Sequence, residues 1–354
     1  MLVYGPENKN GGKDMKRTTV IIATLLTIFA VTASATLLQY YGRITGTVNV
    51  KQSVVFSDGT TEKTYSFEED AVAGDIYMDT FKIKNRANVP ATVKFVDTVN
   101  GANEVDGITT KYYKLAEQTY VIEEGKENYN GPEVDLDDPD DAYDTLGNIN
   151  LRISYEDSKV VFTITTPTDL IGSTPETYSG SVAFIFDADA DGATDWQVLY
   201  EPGSGNFNFD GNWGYEEALE SGANPTPRTF IDATTVSGLE VARDGDNFIV
   251  KVDFDKLGGL GSEYRFGFYI SVLTEYWGGI PGGAGQVMIF FPSYDYFDWA
   301  HTSGYETFTV GTEIQEGETF TIGARETVTF VIVNEFDIAL RPGTYTITTK
   351  IVPE

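Results

Sequence analysis

The chain has 354 residues, a formal net charge of −30, no cysteine and one histidine, His301. So acidic a surface repels nucleic acid and anionic lipid, which excludes both as partners, and it attracts divalent cations. The absence of cysteine rules out a thiol nucleophile and disulfides, and one histidine leaves room for at most one His-based triad.

The chain opens on an export signal. Lys16-Arg17 precede an apolar stretch over 20–31 and then Ala33-Ser34-Ala35. This is a basic n-region, an h-region of about a dozen residues and an A-x-A cleavage pattern. A membrane span needs roughly 20 apolar residues, so the expectation is cleavage after Ala35 and a secreted, cell-surface protein. An uncleaved anchor is the alternative. Residues 1–14 read as an upstream start. Removing 1–35 takes away Lys9, Lys13, Lys16, Arg17, Glu7 and Asp14, which leaves a mature charge of about −32.

Residues 36–56 alternate more regularly than any other stretch. Leu38, Tyr40, Ile44, Val48 and Val50 lie on one face, and Arg43, Thr45, Thr47, Asn49 and Lys51 on the other. Period two is the signature of a strand with one apolar face. About twenty residues would extend roughly 60 Å, whereas ordinary strands have about five or six residues. One domain rarely uses such a strand whole.

Short alternating runs between turn signals follow to the end, the pattern of an all-β chain. Expected strands near Tyr77 to Asn85, Val89 to Phe95, 110–115 and 119–124 lead to an acidic loop with Asp135, Asp137, Asp138, Asp140, Asp141 and Asp144. A second block over 151–309 has strands near 160–165, 181–186, 196–200, 248–254, 264–272 and 286–291, with a helical turn or two near 215–221. The last section returns to the style of the first, with Tyr345, Ile347, Thr349 and Ile351 alternating. The expected architecture is a jelly-roll-like β-sandwich formed by 57–150 and 310–354, with a second β-sandwich, 151–309, inserted into it. A surface loop with close ends tolerates such an insertion.

Asp187-Ala-Asp189-Ala-Asp191-Gly192-Ala-Thr-Asp195 is the sharpest motif. Oxygen ligands at positions 1, 3, 5 and 9, with glycine at 6, follow the logic of a calcium loop. Position 12 is Val198, so this is no EF-hand, and Ca2+ is the expected ion. The loop around Asp135, Asp137, Asp138, Asp140 and Asp141 is a second candidate cation site or a solvated acidic run. Trp277 and Trp299, among the aromatic residues of the central block, are candidate glycan-stacking residues, with core filling as the other reading. No motif supports catalysis, and the chain reads as a non-enzyme.

Two resemblances carry the functional expectation. Leu37-Leu38-Gln39-Tyr40-Tyr41-Gly42-Arg43-Ile44-Thr45-Gly46-Thr47-Val48, then Phe81-Lys82-Ile83-Lys84-Asn85, Val89-Pro90-Ala91 and Pro342-Gly343-Thr344-Tyr345, resemble the secreted archaeal and bacterial fibre subunits related to TasA and camelysin. That resemblance implies a jelly-roll-like domain and polymerisation by donation of an N-terminal strand to a neighbouring copy. Val182-Ala-Phe-Ile-Phe-Asp187, 248–254 and Tyr264-Arg265-Phe266-Gly267-Phe268-Tyr269 resemble DOMON-like and family-9-like carbohydrate-binding sandwiches. The expected protein is thus a calcium-stabilised filament or surface-layer subunit that binds copies of itself. The alternative is a monomeric carbohydrate-binding surface module.

Overall fold

The computed structural model describes residues 52–67, 73–101, 107–123, 129–130, 147–167, 171, 180–201, 204–211, 229–274, 285–293, 300–341 and 343–354. The chain divides into two compact units, Met1–Gln52 and Ser53–Glu354, and every element below belongs to the second. The signal segment and Leu38, Tyr40, Ile44, Val48 and Val50 lie outside the described residues.

Among the described residues the fold is all-β, built as two sandwiches of antiparallel sheets. In the first sandwich, one sheet holds β1 (Val54–Phe56), β3 (Ile76–Asn85), β21 (Thr327–Phe336), β5 (Ile108–Leu115) and β19 (Thr312–Ile314), in that spatial order. It faces a sheet of β2 (Glu62–Phe67), β22 (Tyr345–Pro353), β4 (Ala91–Gly101) and β20 (Thr319–Ile322). In the second sandwich, one sheet runs β14 (Leu239–Asp244), β15 (Asn247–Asp253), β9 (Lys159–Thr165), β8 (Ile149–Glu156) and β6 (Gln118–Ile122). The opposing sheet runs β13 (Ile231–Asp232), β12 (Asn206–Asp210), β11 (Trp196–Glu201), β10 (Gly180–Asp187), β16 (Glu263–Thr274), β17 (Gly285–Phe291) and β7 (Tyr129–Asn130). β18 (Glu306–Thr309) also pairs with β16.

Alternation selects these strands. In β3, Phe81 and Ile83 are buried while Lys82 and Lys84 are exposed; in β22, Tyr345, Ile347, Thr349 and Ile351 all point inward. The first core is aromatic. Phe95 stacks on Tyr112 at 4.2 Å, which joins the two sheets, and Phe81 stacks on Phe330 at 5.7 Å within one of them. A polar clasp crosses the same core. The Tyr112 hydroxyl donates to the Asp97 carboxylate at 2.5 Å, and the Thr349 hydroxyl donates to the same oxygen at 2.8 Å. Burial raises the pKa of both partners: the carboxyl holds its proton more tightly than usual, and the phenol does not ionise in the ordinary range.

Two expectations change. The central sandwich begins at β6, since Gln118–Ile122 pairs with β8 of the second sandwich and not with the first. Only residues 116–117 separate β5 from β6, so the switch of sandwich leaves no composition signal. The expected donor strand over 36–56 also extends too far. Val54–Phe56 is β1, paired with β3 of its own chain, and all three side chains are buried. Among the described residues the chain crosses between sandwiches twice, and the crossings are adjacent: β5 and β19 pair with each other, and Gly311 lies against Leu115. A Cβ on Gly311 would sit 2.9 Å from the Leu115 side chain, and its φ of 75° already favours glycine.

Tyr112→Phe is expected to destabilise the protein by about 1–3 kcal/mol, because it removes a donor from a half-buried carboxylate. Phe162→Ala, which empties a fully buried site touching Phe186 and Phe266, is expected to cost about 3–5 kcal/mol. Urea unfolding midpoints of the two variants check the ranking.

Candidate functional site

The aspartate loop begins where β10 ends. Asp187 is the last residue of that strand and is fully buried, with Arg265 opposite it on β16 and its guanidinium 3.8 Å from the carboxylate. The chain then turns through Ala190 and Gly192, both at positive φ, and returns as Asp195 immediately before β11. Residues 300–302 pin the loop from outside. Thr194 N donates to Ala300 O, Thr302 N donates to Gly192 O, and the Thr302 hydroxyl donates to Asp187.

Within this frame one carboxylate oxygen each from Asp187, Asp189 and Asp195 lies within 4.8 Å of the others. Two oxygens bound to one calcium at about 2.4 Å can be no more than about 4.8 Å apart, so the three oxygens are close enough together to share one ion. The fourth expected ligand departs. Asp191 is not in the cluster; its carboxylate accepts the Ala193 N–H at 2.9 Å and closes the local turn. The remaining carboxylates also accept backbone N–H groups, Asp187 from Asp191 and Gly192, Asp195 from Ala188, which fixes their directions before any cation arrives. Burial raises the Asp195 pKa; the Ala188 N–H opposes this, and the charges of Asp189, Asp187 and Asp191 add to it. A cation would relieve that repulsion.

A second feature lies where the two sandwiches meet. β1 pairs with only the last three residues of β3, from Ile83 to Asn85, whereas β21 pairs with β3 from Ile76 to Lys84. No described strand pairs with Ile76 to Lys82 on the β1 side. Two contiguous depressions flank this stretch. One, of about 390 Å³, is lined by Phe56, Asp58, Lys63, Thr80, Lys82 and Glu156 among others. The next, of about 290 Å³, is lined by Met78, Asp79, Thr80, Asp157, Phe254 and Val331 among others. Thr80 belongs to both, and its hydroxyl donates to the Asp157 carbonyl at 3.2 Å, in the β8–β9 turn.

Of the other expected site residues, Asp135, Asp137, Asp138, Asp140, Asp141, Trp277 and Trp299 lie outside the described residues. Trp196 fills the second core, stacked on Phe186 at 4.0 Å. His301 is exposed, and its backbone bridges Ala193 in the aspartate loop. The groove along β3 was not read from sequence, because it depends on how far β1 pairs.

No family model matches the chain, and no curated protein matches it. A solved structure, that of a Bacteroides uniformis protein proposed to bind carbohydrate, aligns over 55% of this chain and 86% of its own at 9% identity, with a TM-score of 0.31. A likeness at that level assigns no function.

The raised pKa of Asp195 has a signed consequence. The folded state holds this proton more tightly than the unfolded chain, so its contribution is full below about pH 3.8 and is lost as pH rises through the raised value. In chelator, the stability of wild type relative to Asp195→Asn is therefore expected to fall as pH rises from 3.5 to 6. Paired denaturation curves across that range check it.

Proposed function

We propose that this chain is a structural subunit of an extracellular filament or surface layer, in which copies join by strand addition. The observation that carries the reading is the half-paired β3, a ten-residue strand that, among the described residues, has an open edge beside a groove. A strand added to such an edge gains backbone hydrogen bonds from the ladder and specificity from alternate side chains. The alternating sequence of residues 36–52 immediately upstream of β1 supplies a strand of suitable pattern. A contact between one end of a copy and a different surface of the next does not close on itself, and it yields a fibre.

In this reading the chain is exported on residues 1–35, and Ca2+ at Asp187, Asp189 and Asp195 locks the central sandwich and lowers repulsion between acidic neighbours. Three carboxylates directed by backbone N–H groups support that assignment. A cation that binds only the folded form at a concentration one hundred times its dissociation constant stabilises by about 2.7 kcal/mol. Calcium is accordingly expected to raise the melting temperature of the wild type, and Asp189→Asn to abolish most of that gain; titration calorimetry and thermal melts measure it.

Electron microscopy of the mature protein is expected to show filaments, and removal of 36–48 to leave a folded subunit that does not polymerise. Filaments formed by the truncated protein would overturn strand addition. A monomer that binds polysaccharide and loses it on Trp277→Ala or Trp299→Ala would establish the carbohydrate-binding alternative instead.

A further inference from the structure

We infer that a row of cations on the outer face of β3, Lys82, Lys84 and Arg86 with Arg325 beside it, docks the acidic segment 133–137 of a second copy of this chain. The contact uses side chains on the face of the sheet. It shares with strand addition only the premise that copies lie side by side.

The row follows from the alternation of β3. Phe81, Ile83 and Asn85 are buried, so Lys82, Lys84 and Arg86 take three successive outward positions, and all three are exposed. Neighbours in the row are about 6.6 Å apart, two residues at roughly 3.3 Å each. Arg325 lies beside its end: its N–H donates to Ala87 O, and its Nε donates to Asn88 Oδ1 at 2.7 Å.

Among the described residues no carboxylate stands across from the two lysines. Their cross-strand neighbours on β21 are Thr329 and Thr327, and Val55 of β1 faces Lys84. Three carboxylates line the depression that Lys82 shares. Asp58 accepts the Thr60 N–H and hydroxyl, and Glu156 is paired with Lys251 at 2.5 Å, which leaves Asp157 at that end.

In a chain of 54 acidic and 24 basic residues an exposed lysine readily finds a carboxylate, as Lys63, Lys111 and Lys251 do. Lys82, Lys84, Arg86 and Arg325 make no ion pair with the described residues. The local field therefore changes sign at this row, and two copies that otherwise repel can meet there.

Segment 133–137 has the matching pattern. Glu133, Asp135 and Asp137 alternate with Val134 and Leu136, and Pro132 and Pro139 bracket the run against helix. Extended, it presents three carboxylates on one face at the same spacing of about 6.6 Å as the cations. Two arrays of equal period lose a pair whenever they slip by two residues, so charge sets the register as well as the contact. Each copy carries one row and one such segment. The contact thus joins two different surfaces and propagates along a fibre.

Cross-linking between labelled copies tests this. Equal amounts of light and 15N-labelled mature protein, treated with a carbodiimide that joins amine to carboxylate without a spacer, are expected to give light–heavy peptides linking Lys82 or Lys84 to Glu133, Asp135 or Asp137. The variant Lys82→Glu, Lys84→Glu, Arg86→Glu changes exposed side chains alone. It is expected to keep the wild-type circular dichroism spectrum and to self-associate about tenfold more weakly at low salt. Mixing it with Glu133→Lys, Asp135→Lys, Asp137→Lys protein is expected to restore association. In the wild type, 1 M salt should weaken the same contact, because the screening length falls to about 3 Å. Filaments that form without light–heavy links, or at full strength in the triple Glu variant, would overturn this docking and leave strand addition standing. Light–heavy links in protein that forms no filament would support the docking and sink strand addition. Links confined to light–light and heavy–heavy peptides would show the row filled by its own chain. A sulfated polysaccharide held by the row, with no link between copies, would show a different occupant. Either of these last two results overturns the proposal, as does the absence of any association.

Discussion

The arrangement depends on one apolar contact, made by the outer face of the β5–β21 pair. Tyr113, Leu115, Val331 and Val333 point away from the first core and join the hydrophobic cluster of the central sandwich. The two sandwiches are thereby one compact unit and not two beads on a linker. Each buried side chain of this size contributes on the order of 1.5–3 kcal/mol relative to exposure, in a chain that has no disulfide to hold its parts together. The same face extends outward through Thr80 and Met78, cross-strand partners of Val331 and Val333. There the central sandwich no longer covers it, and the groove along β3 is what remains uncovered.

The electrostatics follow from the same economy. An acidic surface resists non-specific association, and carboxylates are tolerated inside only where something directs them. Asp97 is held by Tyr112 and Thr349, and Asp187 by two backbone N–H groups, Thr302 and a nearby Arg265. The carboxylates left with surplus repulsion are those at the rim of the loop after β10, where Asp195 sits among three other aspartates.

Much of the fold was legible in local pattern. Period-two alternation located β3 and β22, and the similar style of the first and last sections pointed to a domain interrupted by the central block. Partner choice was not legible, since β6 follows β5 after two residues and yet pairs in another sheet. The aspartate loop was legible as a cluster. Its membership was not, because the spacing that makes Asp191 a ligand in a helical calcium loop turns it toward Ala193 N in this β-turn. The groove could not be read at all. Its two walls, Met78 to Lys82 and Tyr155 to Ser158, are distant in sequence, and its floor exists because β1 stops after three residues.

The paired crossings through β5 and β19 also bear on how such a chain diversifies. Between Leu115 and Thr312 the central sandwich hangs from two neighbouring rungs of one ladder. In evolutionary terms it is a cassette: it can be lengthened, exchanged or lost without shifting the register of the first sandwich. What would change with it is the far wall of the groove, contributed by Tyr155, Glu156 and Asp157. A lineage that replaces the cassette thus reshapes that groove, while the scaffold that presents β3 stays the same.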